Sequence, residues 1–152
     1  MSAYRIVALP GDGTGREVMT EALKVLDVFQ KNGDVEFEIR VIPCGGQHYL
    51  ETGEQWPEGS FEICRDESDA ILLGAIGWPD ARLPNGDVAG GEVILGLRSG
   101  LDLYANVRPV KLYQGVHHKV HGVYKEIWKS SLVDLVMAVS YTHLTLPTTM
   151  WV

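Results

Sequence analysis

YRIVALPGDGTGREVM, residues 4–19, is the stretch that decides the fold. Tyr4 to Leu9 is a short apolar run that stops at Pro10 and a cluster of glycines, and it reads as a buried strand. Gly11, Gly13 and Gly15 let the backbone turn sharply and let a ligand approach. A helix is expected from about Arg16. Met19, Ala22, Leu23, Leu26 and Phe29 fall at i, i+3, i+4, i+7 and i+10, which is one helical face. Asn32-Gly33 ends it.

Working outward, residues 35–41 (VEFEIRV) alternate, with Val35, Phe37, Ile39 and Val41 on one side and Glu36, Glu38 and Arg40 on the other. That is a strand with one wet face, expected near a sheet edge. A shorter helix is expected between Pro57 and Glu67, with Pro57 in its first turn, where a missing N–H costs nothing. Residues 70–76 (AILLGAI) are apolar throughout, as in a central strand covered on both faces. A Gly/Pro/Asp-rich loop follows from Trp78 to Gly91, then a short helix near Val93 to Ser99 and a strand from about Leu103 to Val110. Residues 123–137 begin helical and end as the strand-like LVDLVM. Strands and helices that alternate in this way argue for an α/β sandwich with a largely parallel sheet.

Composition narrows the function. The 152 residues are 45% apolar and 22% charged, ordinary for a soluble globular domain. The 17 glycines, in a chain without repeats, indicate many tight turns. A net charge of −7 argues against nucleic acid or an anionic membrane as partner, since both need a basic surface. The N-terminus lacks the layout of a signal peptide, and no segment is long enough to span a bilayer. Cys44 and Cys64 are expected to be reduced thiols of a cytoplasmic protein.

Three segments carry chemistry. The glycine loop at residues 10–15 precedes a helix whose first N–H groups favour anions. It matches neither the GxGxxG dinucleotide fingerprint nor a GxxxxGK phosphate loop, so alone it is a tight strand-to-helix turn. Residues 74–79 (GAIGWP) lie at the carboxyl end of a strand, where α/β sheets bind ligands, and a long charged loop follows them. Residues 94–109 (ILGLRSGLDLYANVRP) put Arg98 at a helix end and Arg108 in the next strand. Two guanidinium groups brought together hold carboxylates through paired N–H···O bonds, so an acidic chain with this pair suits a small dicarboxylate.

PGDGTGREVM, GAIGWP and LRSGLDLYANVRPVKLY resemble, in order and spacing, the N-terminal motifs of the isopropylmalate, isocitrate and tartrate dehydrogenase family. The resemblance runs from about Tyr4 to Met137. It implies the isopropylmalate dehydrogenase-like α/β/α sandwich, in incomplete form, and an NAD-dependent oxidation and decarboxylation of a 2-hydroxy diacid. By the same resemblance Arg98 and Arg108 bind substrate carboxylates, and Asn106 between them helps position the substrate. Gly77, Trp78, Pro79 and Glu92 belong to a cofactor-contacting segment. Ile94 and Leu95 match positions that pack an alkyl substituent, and a carboxylate at Glu92 would repel a tricarboxylate. These features favour 3-isopropylmalate, the leucine-biosynthesis substrate, over isocitrate. The GLR triplet at residues 96–98 leaves a tartrate/malate-type member as an alternative. A homodimer is implied for the intact enzyme. So is a Mg²⁺ or Mn²⁺ ion, whose ligands, like a catalytic Tyr and Lys, follow the LVDLVM strand in the family.

The chain departs from the family pattern in two places. Thr14 and Arg16 replace the common Ile and Pro of the glycine loop, and both suit a turn entering a helix. After Met137 the expected motifs do not continue. Residues 139–148 (VSYTHLTLPT) resemble a translated sequencing adaptor, so residues 1–138 are expected to be dehydrogenase and 139–152 a non-native tail. Tyr141 and His143 are accordingly not catalytic, and the chain alone is expected to be inactive. His117, His118 and His121 lack acidic support for a metal site and read as a solvated loop. Cys44-Gly45-Gly46 reads as a strand end, and Trp56 and Trp78 as packing anchors. The rival class is a non-enzymatic α/β module that binds a nucleotide or anion at the glycine loop, for which Arg98 and Arg108 would be dispensable.

Overall fold

The computed structural model describes residues 3–33 and 35–103, and the backbone of two further strands. The chain divides into two compact units, Met1–Leu101 and Asp102–Val152. In the first, β1 (Tyr4–Leu9) leads into α1 (Thr14–Lys31), β2 (Phe37–Val41), α2 (Gly46–Thr52), α3 (Ser60–Asp66), β3 (Ala70–Leu73) and α4 (Gly91–Gly100). The three strands form a parallel sheet in the order β2-β1-β3. In the second unit β4 (Ala105–Lys111) pairs antiparallel with β5 (Asp134–Ser140), Arg108 opposite Met137.

β1 is the middle strand of this sheet, and its Ile6, Val7, Ala8 and Leu9 are all buried. Val7 and Leu9 join Ile42, Cys44, Cys64, Val93 and Leu97 in one core cluster, with Phe61, Ile63 and Ile71 packed around it. That cluster lies on the α3 and α4 side of the sheet. The opposite face carries Ile6 and Ala8, beside Ile39 and Val41 in register. A right-handed β1–α1–β2 connection lays α1 on this face, where its Met19 is buried. The layers are therefore helix, sheet, helix, an α/β/α arrangement. At the amino end of the sheet the Arg5 guanidinium and backbone N–H both donate to Asp69, just before β3, and hold its carboxyl below the usual carboxylate range.

Several expectations are met. β1 has the expected bounds, and β2 is an outer strand. On α1, Met19 is buried and Ala22, Leu23 and Leu26 are half-buried, although Phe29 is 49% exposed. Others are corrected. β3 stops at Leu73 and is an outer strand of this sheet, with Ala70 and Leu73 exposed; its apolar composition alone does not make it central. Pro57 precedes α3 in a turn, its carbonyl accepting from the Ser60 N–H (3.2 Å) and hydroxyl (2.5 Å). α2 is a helix that the sequence reading omits. β4 starts at Ala105 rather than Leu103. The helix expected after residue 123, the histidines at 117, 118 and 121, and the tail beyond Ser140 lie outside the described residues.

Candidate functional site

Because the three strands run parallel, their carboxyl ends share one rim, built from residues 10–15, 42–47 and 74–91. Open α/β sheets bind ligands at such a rim. The glycine loop has a different task there from the expected one. A Cβ at Gly11 would lie 2.1 Å from the Ala75 carbonyl oxygen, and one at Gly74 would lie 2.1 Å from the Pro10 carbonyl oxygen. The glycines at 11 and 74 thus let two protein backbones cross in contact.

Asp12 sits at the centre of the rim, only 3% exposed. Its Oδ2 accepts from the Gly46 N–H at 2.8 Å and the Gly77 N–H at 2.9 Å, and its Oδ1 accepts from the Gln47 N–H at 2.8 Å. It caps α2 and ties in the start of the loop after β3. Cys44 lies buried beside it, and burial pushes its thiol up to about 11, far from a reactive thiolate. Cys44 and Cys64 are both free and buried.

The loop expected as a long irregular connection is folded back on itself. Arg82 and Val88 form an antiparallel bridge, the Ala89 N–H donates to the Ala81 carbonyl, and the Leu83 N–H donates to the Asp87 carbonyl. Within it Gly77, Pro79 and Glu92 are exposed and Trp78 is half-buried. Trp78 packs where a Cβ on Gly46 would lie 2.8 Å from its own Cβ, so it serves as the anchor the sequence suggests. Among the described residues, a Cβ built on Gly77, Gly86 or Gly91 meets no atom within 4 Å beyond its chain neighbours.

α4 carries the residues expected to meet substrate. Val93 and Leu97, one turn apart, are buried against the core. Ile94 and Arg98, also one turn apart, are half-buried on a neighbouring face, and Leu95 is 62% exposed. Ile94, Leu95 and Arg98 thus lie on α4 outside its buried pair. Its start is capped by Gln55, whose Oε1 accepts from the Gly90 N–H (2.5 Å) and the Glu92 N–H (3.3 Å) and whose Nε2 donates to Glu92 at 2.8 Å. Glu92 is thus held at the helix start. Arg108 and Asn106 lie on β4 in the second unit, and their side chains lie outside the described residues.

An open cleft of about 730 Å³ lies between the α2–α3 connection and the start of α4. Glu54, Glu58, Glu62 and Glu92 line it with Trp56 and Phe61, and among the described residues no lysine or arginine does. A diacid would be repelled there. Among the described residues, no group of three or more His, Cys, Asp or Glu side chains could hold a metal ion, so these residues do not fit a divalent ion site. No helix among them is long and apolar enough to cross a membrane.

Residues 5–140 match the family model described as isocitrate/isopropylmalate dehydrogenase, and the chain belongs to this family. A 3-isopropylmalate dehydrogenase of Clostridium acetobutylicum is 42% identical over 113 residues, 74% of this chain and 31% of that protein. One from Thermotoga maritima is 44% identical over 117 residues, 75% of this chain and 32% of that protein. The chain thus spans about a third of the length of these curated relatives. Among solved structures, a β-decarboxylating dehydrogenase of Thermococcus kodakarensis in its apo form matches with a TM-score of 0.55 and 28% identity, over 88% of this chain and 40% of that one. An isocitrate dehydrogenase of Methylococcus capsulatus has the same fold, with a TM-score of 0.64, 24% identity and coverage of 89% and 34%. The expected family and fold are therefore established.

Asp12 and Gln55 carry much of the rim and had no assigned role from sequence. Asp12 was visible inside the glycine loop, but its partners at residues 46, 47 and 77 are set by the fold. Gln55 stands in a stretch with no motif.

Proposed function

We propose that residues 1–138 are the N-terminal part of an NAD-dependent dehydrogenase that oxidises and decarboxylates 3-isopropylmalate. The observation that carries this reading is the outer side of α4, where Ile94 and Leu95 stand beside Arg98. An apolar pair next to a guanidinium matches a diacid bearing an alkyl branch: the cation takes a carboxylate and the aliphatic side chains cover the branch. Arg108, on β4, is the second carboxylate ligand in this reading, and Asn106 aids positioning. Together they would orient the hydroxyl-bearing carbon for reaction.

Gly77, Trp78, Pro79 and Glu92 border the open side of the rim and would contact the dinucleotide there. NAD supplies the hydride acceptor when bound. The metal ligands and the catalytic Tyr and Lys belong, by family resemblance, to sequence beyond the LVDLVM strand, and residues 139–152 are a non-native tail. The full enzyme works as a homodimer in the cytoplasm.

The test joins residues 1–137 to the part of the Thermotoga maritima relative that follows its matching segment. This hybrid is expected to reduce NAD⁺ with 3-isopropylmalate in preference to isocitrate, tartrate or malate. Equal or better turnover of tartrate would reject the substrate assignment and favour the tartrate/malate type. No turnover of any of these diacids, in a folded hybrid, would reject the enzyme reading.

A further inference from the structure

Asp12 and Ser60 are the buried polar side chains among the described residues, and of the two Asp12 alone carries an ionisable group. Its two oxygens accept three backbone N–H groups, from Gly46, Gln47 and Gly77, and its own N–H donates to the Ala75 carbonyl at 2.8 Å. One side chain thereby joins the loops at the carboxyl ends of all three strands. The seat is fitted closely: a Cβ on Gly45 would lie 2.6 Å from Asp12 Oδ2. Gly77 leads directly into Trp78, whose Cζ3 would lie 3.5 Å from a Cβ on Gly13, so the start of the loop also rests on the glycine turn.

We infer that Asp12 is the positioning residue of the proposed cofactor loop: its carboxylate fixes the Gly77 amide, and with it the Trp78 ring, relative to the N-terminus of α2. The naming of that loop rests on the dehydrogenase reading; the coupling itself does not. A carboxylate suits the task because it offers lone pairs on both oxygens and has no hydrogen to turn toward an N–H. Asparagine has nearly the same shape but turns an NH₂ toward at least one of the three donors. The loop and the helix start would then open separately.

The experiment is amide hydrogen exchange by NMR on the full 152-residue chain, together with the indole Nε1–H resonance of Trp78. In the unmodified chain the Gly46, Gln47 and Gly77 amides are expected to exchange through one shared opening, more slowly than the Asp87 amide in the neighbouring surface turn. In Asp12→Asn their exchange is expected to rise about ten-fold or more, as for loss of a hydrogen bond to a charged group. The Trp78 resonance is expected to move, while the Gly74 amide, bonded to the Leu9 carbonyl, keeps its protection within about two-fold. A merely stabilising side chain would change all of these amides together and leave the native Trp78 resonance in place. Gly45→Ala pushes the carboxylate from its seat without altering its chemistry, and is expected to give the same pattern. Independent exchange of Gly77, fast exchange of all three amides in the unmodified chain, or an unmoved Trp78 resonance in the variants overturns the inference. Turnover by the hybrid enzyme reports on the dehydrogenase reading separately.

Discussion

Leu95 is 62% exposed on a helix whose neighbours Val93 and Leu97 are buried. A large aliphatic side chain left outside a helix that already has its core pair can make another contact, which in the proposed function is the branch of the substrate. Leu95→Ala in the hybrid is expected to lower kcat/KM for 3-isopropylmalate by about ten- to two-hundred-fold, the worth of about one methylene of contact in a pocket. Malate, which lacks the branch, is expected to be affected far less, and steady-state kinetics with both substrates checks this. An equal loss for both would mean that Leu95 packs against protein alone. Cys44 gives a second prediction. Its thiol is pushed up to about 11 by burial, from an ordinary value of 9.0. A thiol that ionises less readily in the folded state favours folding while it is protonated. That contribution is lost as pH rises from about 9 through about 11. Denaturant midpoints are expected to fall across that window, and to fall less in Cys44→Ala.

At the scale of elements, the crossing of the glycine loop over residues 74–75 is the tightest constraint. Gly74→Ala would put a Cβ 2.1 Å from the Pro10 carbonyl, a backbone atom that cannot swing aside. The expected loss is at least about 2–3 kcal/mol, an overpacking cost, seen as a lower urea midpoint. Gly53→Ala is the contrast, since its Cβ meets nothing within 4 Å; its cost is limited to the strain of a residue at φ 83°. β1, α1 and α4 were legible because periodicity and a terminating Asn-Gly or Gly state where burial begins and ends. α2 was not, because GQHYLET has little apolar patterning and its start is made by Asp12, a residue 34 positions earlier. β3 misled for a related reason. Its composition suits a covered strand, but position in a sheet depends on which neighbours pair with it. The glycine loop was legible as a tight strand-to-helix turn, but the backbone it crosses, at residues 74–75, is set by the fold.

At the scale of the molecule, the chain spans about a third of the length of its curated relatives, and its surface reflects that. On α1, Val18, Val25, Val28 and Phe29 are each about half exposed or more, and Val41 on β2 is 54% exposed. Exposed apolar side chains of this kind leave the unit short of burial and prone to association. The 152-residue chain is expected to melt at low temperature with weak cooperativity and to bind a hydrophobic dye; a sharp, high-temperature transition in calorimetry would contradict this. It is also expected to form no NADH from 3-isopropylmalate with NAD⁺ and Mg²⁺.

In the proposed function, a helix-borne and a strand-borne guanidinium grip one substrate. A double-mutant cycle on Arg98→Ala and Arg108→Ala in the hybrid, read as kcat/KM for 3-isopropylmalate, tests it most directly. Each single change is expected to cost at least about thirty-fold, as for loss of one partner of a desolvated charge pair. The double change is expected to cost measurably less than the product of the two, because both act on the same bound diacid. Single variants that retain near-normal kcat/KM would contradict it.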